Sequence, residues 1–267
     1  MKKPLVVANW KMNTSLSDAI ILSTRIKNSV DNLEAEIVIC PPFAWLLTLK
    51  ELLEHAPENL HLGAQNMWFA DSGAMTGEIS PMMLRNIAKY VILGHSERRS
   101  HFGESSTLIN DKVQAALRHG LKPIMCVSEL KKLQDGKRGR GRPTEAYLKS
   151  DIIQQVKYGL KGVDNKDIGK VIIAFEPVWA ISTTADSKGV ASGVYAAGAI
   201  DSIREYLSTK YGVEIAKDMV IIYGGSVDSR NVNEILCQEE IDGVLVGSAS
   251  LKVDEFIKIC KIAGGKS

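Results

Sequence analysis

Apolar residues fall into two kinds of segment that alternate along the whole chain. Short β-branched and aliphatic runs recur at Leu5–Ala8, Ile37–Cys40, Leu60–Leu62, Tyr90–Leu93, Pro123–Val127, Val171–Phe175, Met219–Tyr223 and Val244–Val246. Most of these eight runs are continuous rather than alternating, which predicts strands covered on both faces, as in a parallel sheet. Between them lie stripes of helical period: Trp45, Leu49, Leu52 and Leu53, then Ile109, Val113, Ala116 and Leu117, then Val253, Phe256, Ile257 and Cys260. Strand and helix in strict alternation predict a parallel α/β fold. Eight units in 267 residues predict a closed (β/α)8 barrel occupying 1–267 as a single domain. An open doubly wound sheet would give the same alternation, and periodicity alone leaves it open.

Polar residues follow the apolar runs, and in a parallel barrel all of those ends share one mouth. Asn9 and Lys11 follow the first run, Gln65 and Asn66 the third, His95 and Glu97 the fourth, Glu129 the fifth and Glu176 the sixth. Gly224-Gly225-Ser226 follows the seventh and Gly247-Ser248 the eighth. Read as extended chain, Asn9 and Lys11 point to the same side. Lys11 there is either a solvated lysine or a fixed charge for an anionic substrate. Gly94 and the polar run beyond it predict a helix from about Ser96, so His95 meets the donor N–H groups of a helix start, which favour the neutral ring. A structural histidine bonded to a loop carbonyl fits equally well. Pro177 keeps Glu176 extended at the end of a five-residue apolar strand, where a carboxylate is partly desolvated, as a general base requires. A glutamate capping the next turn is the plainer alternative. Two glycine turns on the last two strands suit backbone N–H groups that hold phosphate.

Composition narrows the classes. The net charge of +2 gives no signal of a nucleic-acid partner. No apolar run approaches the roughly 18 to 20 residues of a membrane span, and the N-terminus turns polar at Asn9, so the expectation is a cytoplasmic protein with no membrane association. Cys40, Cys126, Cys237 and Cys260 are scattered beside apolar stretches and read as reduced, buried thiols, not a metal set or a disulfide framework. The stretch 131–142 carries six positive charges against Asp135 alone and reads as a solvated loop before an anion-docking patch.

With these residues in place the chain resembles the triosephosphate isomerase family over nearly its whole length. The segments that carry the likeness are Ala8–Asn13, Gly63–Asn66, Gly73 with Thr76–Pro81, Leu93–Arg99, Phe175–Ile181, Tyr223–Val227 and Asp242–Gly247, in the family's order. The resemblance implies Glu176 as base, His95 as neutral electrophile, Lys11 and Asn9 as substrate binders, and Glu97 as the partner of Lys11; this family is itself the standard instance of that Glu and His pairing. It further implies phosphate contacts at Ser226, Gly247 and Ser248, a lid contact at Ser182, and no metal or organic cofactor. A small phosphorylated sugar is the implied substrate and glycolysis the implied setting. A homodimer is implied too, in which the third loop, Gln65 to Glu78 and including Thr76, reaches the partner's site.

Three departures stand out. The lid reads Ala180-Ile181-Ser182-Thr183-Thr184 where the family carries two glycines, the eighth-strand turn reads Gly247-Ser248-Ala249 where it carries a glycine pair, and the fifth strand ends Ser128-Glu129 in place of Gly-Glu. Each replaced glycine adds a side chain where backbone approaches the substrate. Two alternatives follow: a paralogue acting on a four-carbon erythrulose phosphate, and a non-catalytic barrel that binds a phosphorylated metabolite.

Overall fold

The computed structural model describes residues 2–128, 145–178 and 191–265. The eight runs form β1 (Leu5–Asn9), β2 (Glu36–Cys40), β3 (Leu60–Ala64), β4 (Tyr90–Leu93), β5 (Lys122–Ser128), β6 (Ile172–Glu176), β7 (Ile221–Tyr223) and β8 (Gly243–Val246). Every neighbouring pair is parallel, and β1 pairs with β2 on one side and β8 on the other, so the sheet closes as a (β/α)8 barrel. The open-sheet alternative is thereby set aside.

Helices described around it are α1 (Leu16–Lys27), α2 (Phe43–Leu52), α3 (Pro81–Leu84), α4 (Ser96–Phe102), α5 (Ser106–Arg118), α6 (Glu145–Gly159), α7 (Asn165–Ile168), α8 (Gly193–Tyr211), α9 (Val213–Asp218), α10 (Val232–Leu236) and α11 (Val253–Ala263). Their starts are chemically marked. Ser15 caps α1 in a capping box with Asp18, and Ser80, Ser105 and Ser192 cap α3, α5 and α8 through their side chains.

Two cores explain why the strand runs are continuous. Side chains alternate along a strand, so Leu5 and Val7 enter the barrel lumen with Val38, Tyr90, Ile92, Ile124, Ile172, Ala174 and Leu245, while Val6 and Ala8 pack outward beneath the helices. Both faces are apolar because neither meets water. The same alternation places Glu176 on the lumen side of β6 beyond Ala174, at the carboxyl end of the barrel. Of the four cysteines, Cys40, Cys126 and Cys260 are buried, but Cys237 is exposed, which corrects the expectation for that residue. It follows the last turn of α10, on the side that faces solvent.

Candidate active site

At the carboxyl end of the strands lies a cavity of about 630 Å³ lined by Asn9, Lys11, His95, Glu176, Ser226, Gly247 and Ser248, among others. The residues anticipated at strand ends thus meet at one mouth, although they span 240 positions of the chain.

Helix α4 organises the centre. Gly94 turns out of β4 with φ +70, a conformation that residues with a Cβ rarely adopt, and a Cβ there would lie 2.5 Å from Ile109 Cδ1. That turn leaves His95 as the residue just before the helix, whose first N–H groups have no partner within the helix. The site uses them. Ser96 N–H donates to Glu176 Oε2 at 2.8 Å, and Glu97 N–H donates to His95 Nδ1 at 3.2 Å. A ring nitrogen that accepts carries no hydrogen, so the neutral ring bears its N–H on Nε2. His95 Nε2 lies 3.1 Å from Glu176 Oε1. Glu176 is fully buried, and Oε1 makes no aligned hydrogen bond in spite of that short approach. Beneath the carboxylate lies Cys126, whose thiol is pushed well up by burial and by the charge of Glu176, so it stays protonated and adds no second charge there.

Lys11 departs from the extended geometry expected of it. Strand β1 stops at Asn9, and Lys11 has φ 53, in the left-handed region, so its direction comes from a turn and not from strand alternation. Asn9 Oδ1 accepts from Lys11 N–H at 3.1 Å, and Lys11 Nζ meets Glu97 Oε1 at 2.6 Å. Both side chains still line the mouth.

At the opposite wall Gly224 packs against Glu176: a Cβ there would lie 3.0 Å from Glu176 Cγ and 3.4 Å from Phe175 O. Gly247 faces Lys11, with its Cβ direction 3.9 Å from Nζ. Beyond it Ser248–Leu251 forms a 3-10 turn, and Ser248 is exposed at the rim. Thr76 is exposed in the third loop and is not among the residues lining this cavity. Ser182, Thr184, Glu129 and the basic stretch 131–142 lie outside the described residues. Among the described residues no group of three His, Cys, Asp or Glu side chains is arranged to hold a metal ion.

Several groups at the mouth gave no clear signal in sequence. Ser96 acts through its backbone N–H, for which side-chain identity carries no information. Asp228, Arg230, Lys252 and Glu255 extend the rim, and only their position just beyond the glycine turns hinted at it.

A family model described as triosephosphate isomerase matches residues 4–263. A protein named triosephosphate isomerase from Dehalococcoides mccartyi (strain CBDB1) is 42% identical over 264 residues, 98% of this chain and 97% of its own. One of the same name from Thermoanaerobacter pseudethanolicus is 42% identical over 262 residues, 97% of this chain and 99% of its own. A third, from Dictyoglomus thermophilum, is 43% identical over 263 residues, 98% of this chain and 100% of its own.

Proposed function

The chain belongs to the triosephosphate isomerase family, and from that premise we infer that it interconverts dihydroxyacetone phosphate and glyceraldehyde 3-phosphate. Neither alternative raised by the altered lid and rim is favoured by relatives that match nearly end to end and carry the triose name.

We assign the work as follows. Glu176 takes a proton from the carbon beside the substrate carbonyl, and the electron pair of the C–H bond moves to form the enediolate. Returning that proton to the neighbouring carbon, while the hydroxyl proton passes from one oxygen of the enediolate to the other, completes the exchange of aldose for ketose, so no atom is gained or lost. Ser96 N–H steadies Oε2 and leaves Oε1 towards His95, where the reacting carbon would lie. His95 Nε2–H and the Lys11 ammonium face the oxygens on which charge develops, in a site where preorganised donors act with little reorganisation. Asn9 orients the turn that carries Lys11, and Glu97 holds the ammonium. Phosphate is met by Lys11, Ser226 and the backbone around Gly247 and Ser248, with Ser182 as the lid contact.

The observation that carries this reading is the buried pair of Glu176 and His95 at 3.1 Å beside Lys11 in one mouth. The test is turnover of glyceraldehyde 3-phosphate in D2O, where deuterium should enter the carbon next to the carbonyl. Binding of a phosphate analogue with neither turnover nor exchange would reduce the barrel to a binding protein.

The homodimer belongs to the same reading. Met12, Leu47, Met75, Met82 and Phe102 are exposed on the segments that follow β1 to β4, as is Thr76, and apolar side chains left open in that number suit a protein contact. A cytoplasmic place in glycolysis and gluconeogenesis completes it. Among the described residues no helix is long and apolar enough to cross a membrane.

A further inference from the structure

Lys11 sits in a backbone conformation that a residue with a Cβ adopts only when its surroundings hold it there. Its N–H is met by Asn9, the last residue of β1, which fixes only the amide side of the turn. Its ammonium is met by Glu97, but a four-carbon stem can reach that carboxylate from more than one backbone conformation. The carbonyl side is tied differently. Gln65, the first residue beyond β3, donates through Nε2 to Lys11 O at 2.8 Å and to Cys40 O at 2.9 Å. Cys40 ends β2, is fully buried, and also accepts from Trp10 N–H at 3.2 Å.

We propose that Gln65 is the positioning residue for Lys11: its amide clamps the strained turn to the barrel wall and so delivers the ammonium to the mouth. The proposal rests on the assignment of Lys11 as a substrate-binding and charge-stabilising group. One carbonyl of the wall, Cys40 O, thus anchors the turn at Trp10 directly and at Lys11 through Gln65. Gln65 is itself held from behind. The next residue, Asn66, accepts from Lys112 Nζ at 2.9 Å, and that fully buried ammonium is paired with Glu104 at 2.6 Å. Glu104 also meets Arg98, the neighbour in α4 of Glu97, which holds the other end of Lys11. Both ends of Lys11 are therefore referred to one rigid cluster. Without the amide donor, two carbonyls lose a partner and Lys11 is freed to relax towards negative φ, which withdraws its ammonium.

The test is steady-state turnover of glyceraldehyde 3-phosphate by Gln65→Met, alone and combined with Lys11→Met, with thermal melts of each variant. Methionine keeps the length and removes both donors. If Gln65 acts through Lys11, kcat/KM falls about 10- to 100-fold in the single variant and less than about 3-fold in the Lys11→Met background, because the two changes remove one function. An equal loss in both backgrounds would mean a general structural role and would overturn the proposal, as would near-native turnover of Gln65→Met. If Gln65→Met does not fold, Gln65→Glu, of the same shape and also lacking the N–H donors, is read by the same criteria. Native-like turnover of Lys11→Met alone would overturn the assignment beneath the proposal, and with it the proposal, whatever the Gln65 variants show.

Discussion

Glu176 reaches the mouth from a fully buried position, so the length of its side chain decides what its carboxylate can touch. Glu176→Asp keeps the charge and withdraws it by one methylene. A misplacement of about 1 Å costs on the order of 100-fold, so kcat should fall by about that factor while KM barely changes. Native-like turnover in this variant would remove Glu176 from the mechanism. Gly224 tests the same carboxylate from the other side. Its missing Cβ would lie 3.0 Å from Glu176 Cγ, so Gly224→Ala must displace that side chain by a few tenths of an ångström. The expected result is a loss of roughly 10-fold in kcat from a folded protein. At this scale the sequence was legible where a side chain lines the mouth: Lys11, His95 and Glu176 each announced themselves by standing beyond an apolar run. It was silent on Ser96, whose contribution is a backbone N–H, and misleading on Lys11, because a left-handed turn carries no periodic signal.

The elements divide the barrel into a chemical end and a structural end. At the chemical end α4 supplies a sequence of contacts from its first turn: His95 and Ser96 on Glu176, Glu97 on Lys11, and Arg99 bonded through its guanidinium to Gly94 O and Cys126 O. A helix start predicted at Ser96 was correct because Gly94 and the polar residues after it mark it locally. The opposite end holds a different cluster, where Glu36 Oε1 is met by His61 Nε2 at 2.8 Å, Lys89 Nζ at 2.7 Å and Tyr90 Oη at 2.9 Å. The hydrogen bond from His61, then those from Lys89 and Tyr90, hold the Glu36 carboxyl far below its ordinary value of 4.5. A depressed native pKa adds stability that is present above the unfolded value and is lost as pH falls through and below it. Glu36→Gln should therefore be less stable than the parent chain at neutral pH, with the difference closing as urea midpoints are measured down from about pH 5. A difference independent of pH would mean that packing, and not charge, is what Glu36 contributes. Nothing in the spacing of Glu36, His61, Lys89 and Tyr90 foretold this cluster, since its members lie on three different strands or their edges and meet only through strand register.

For the whole molecule, the near-neutral charge fits a small anionic substrate, since a lysine, a histidine and a few backbone amides at one mouth suffice to hold it. The proposed homodimer belongs to this scale. Sedimentation velocity should show two chains per particle, and Thr76→Arg, which places a charge on the exposed third loop, should shift the protein towards monomer and lower turnover. A wild-type chain that is monomeric and fully active would detach that loop from the reaction.

By itself the sequence determined the eight strands, the order of strand and helix, and the residue types gathered at the carboxyl ends, because hydrophobic period and turn chemistry are local properties of the chain. Closure of the barrel was decided by tertiary structure, through the pairing of β1 with β8 across almost the full length of the sequence. So were the contacts that make the mouth a site: Ser96 N–H on Glu176, Glu97 on Lys11, and Gln65 on the carbonyls of Lys11 and Cys40. Each joins residues tens of positions apart at distances of about 3 Å, and such a distance is set by how the strands register and not by any spacing along the chain.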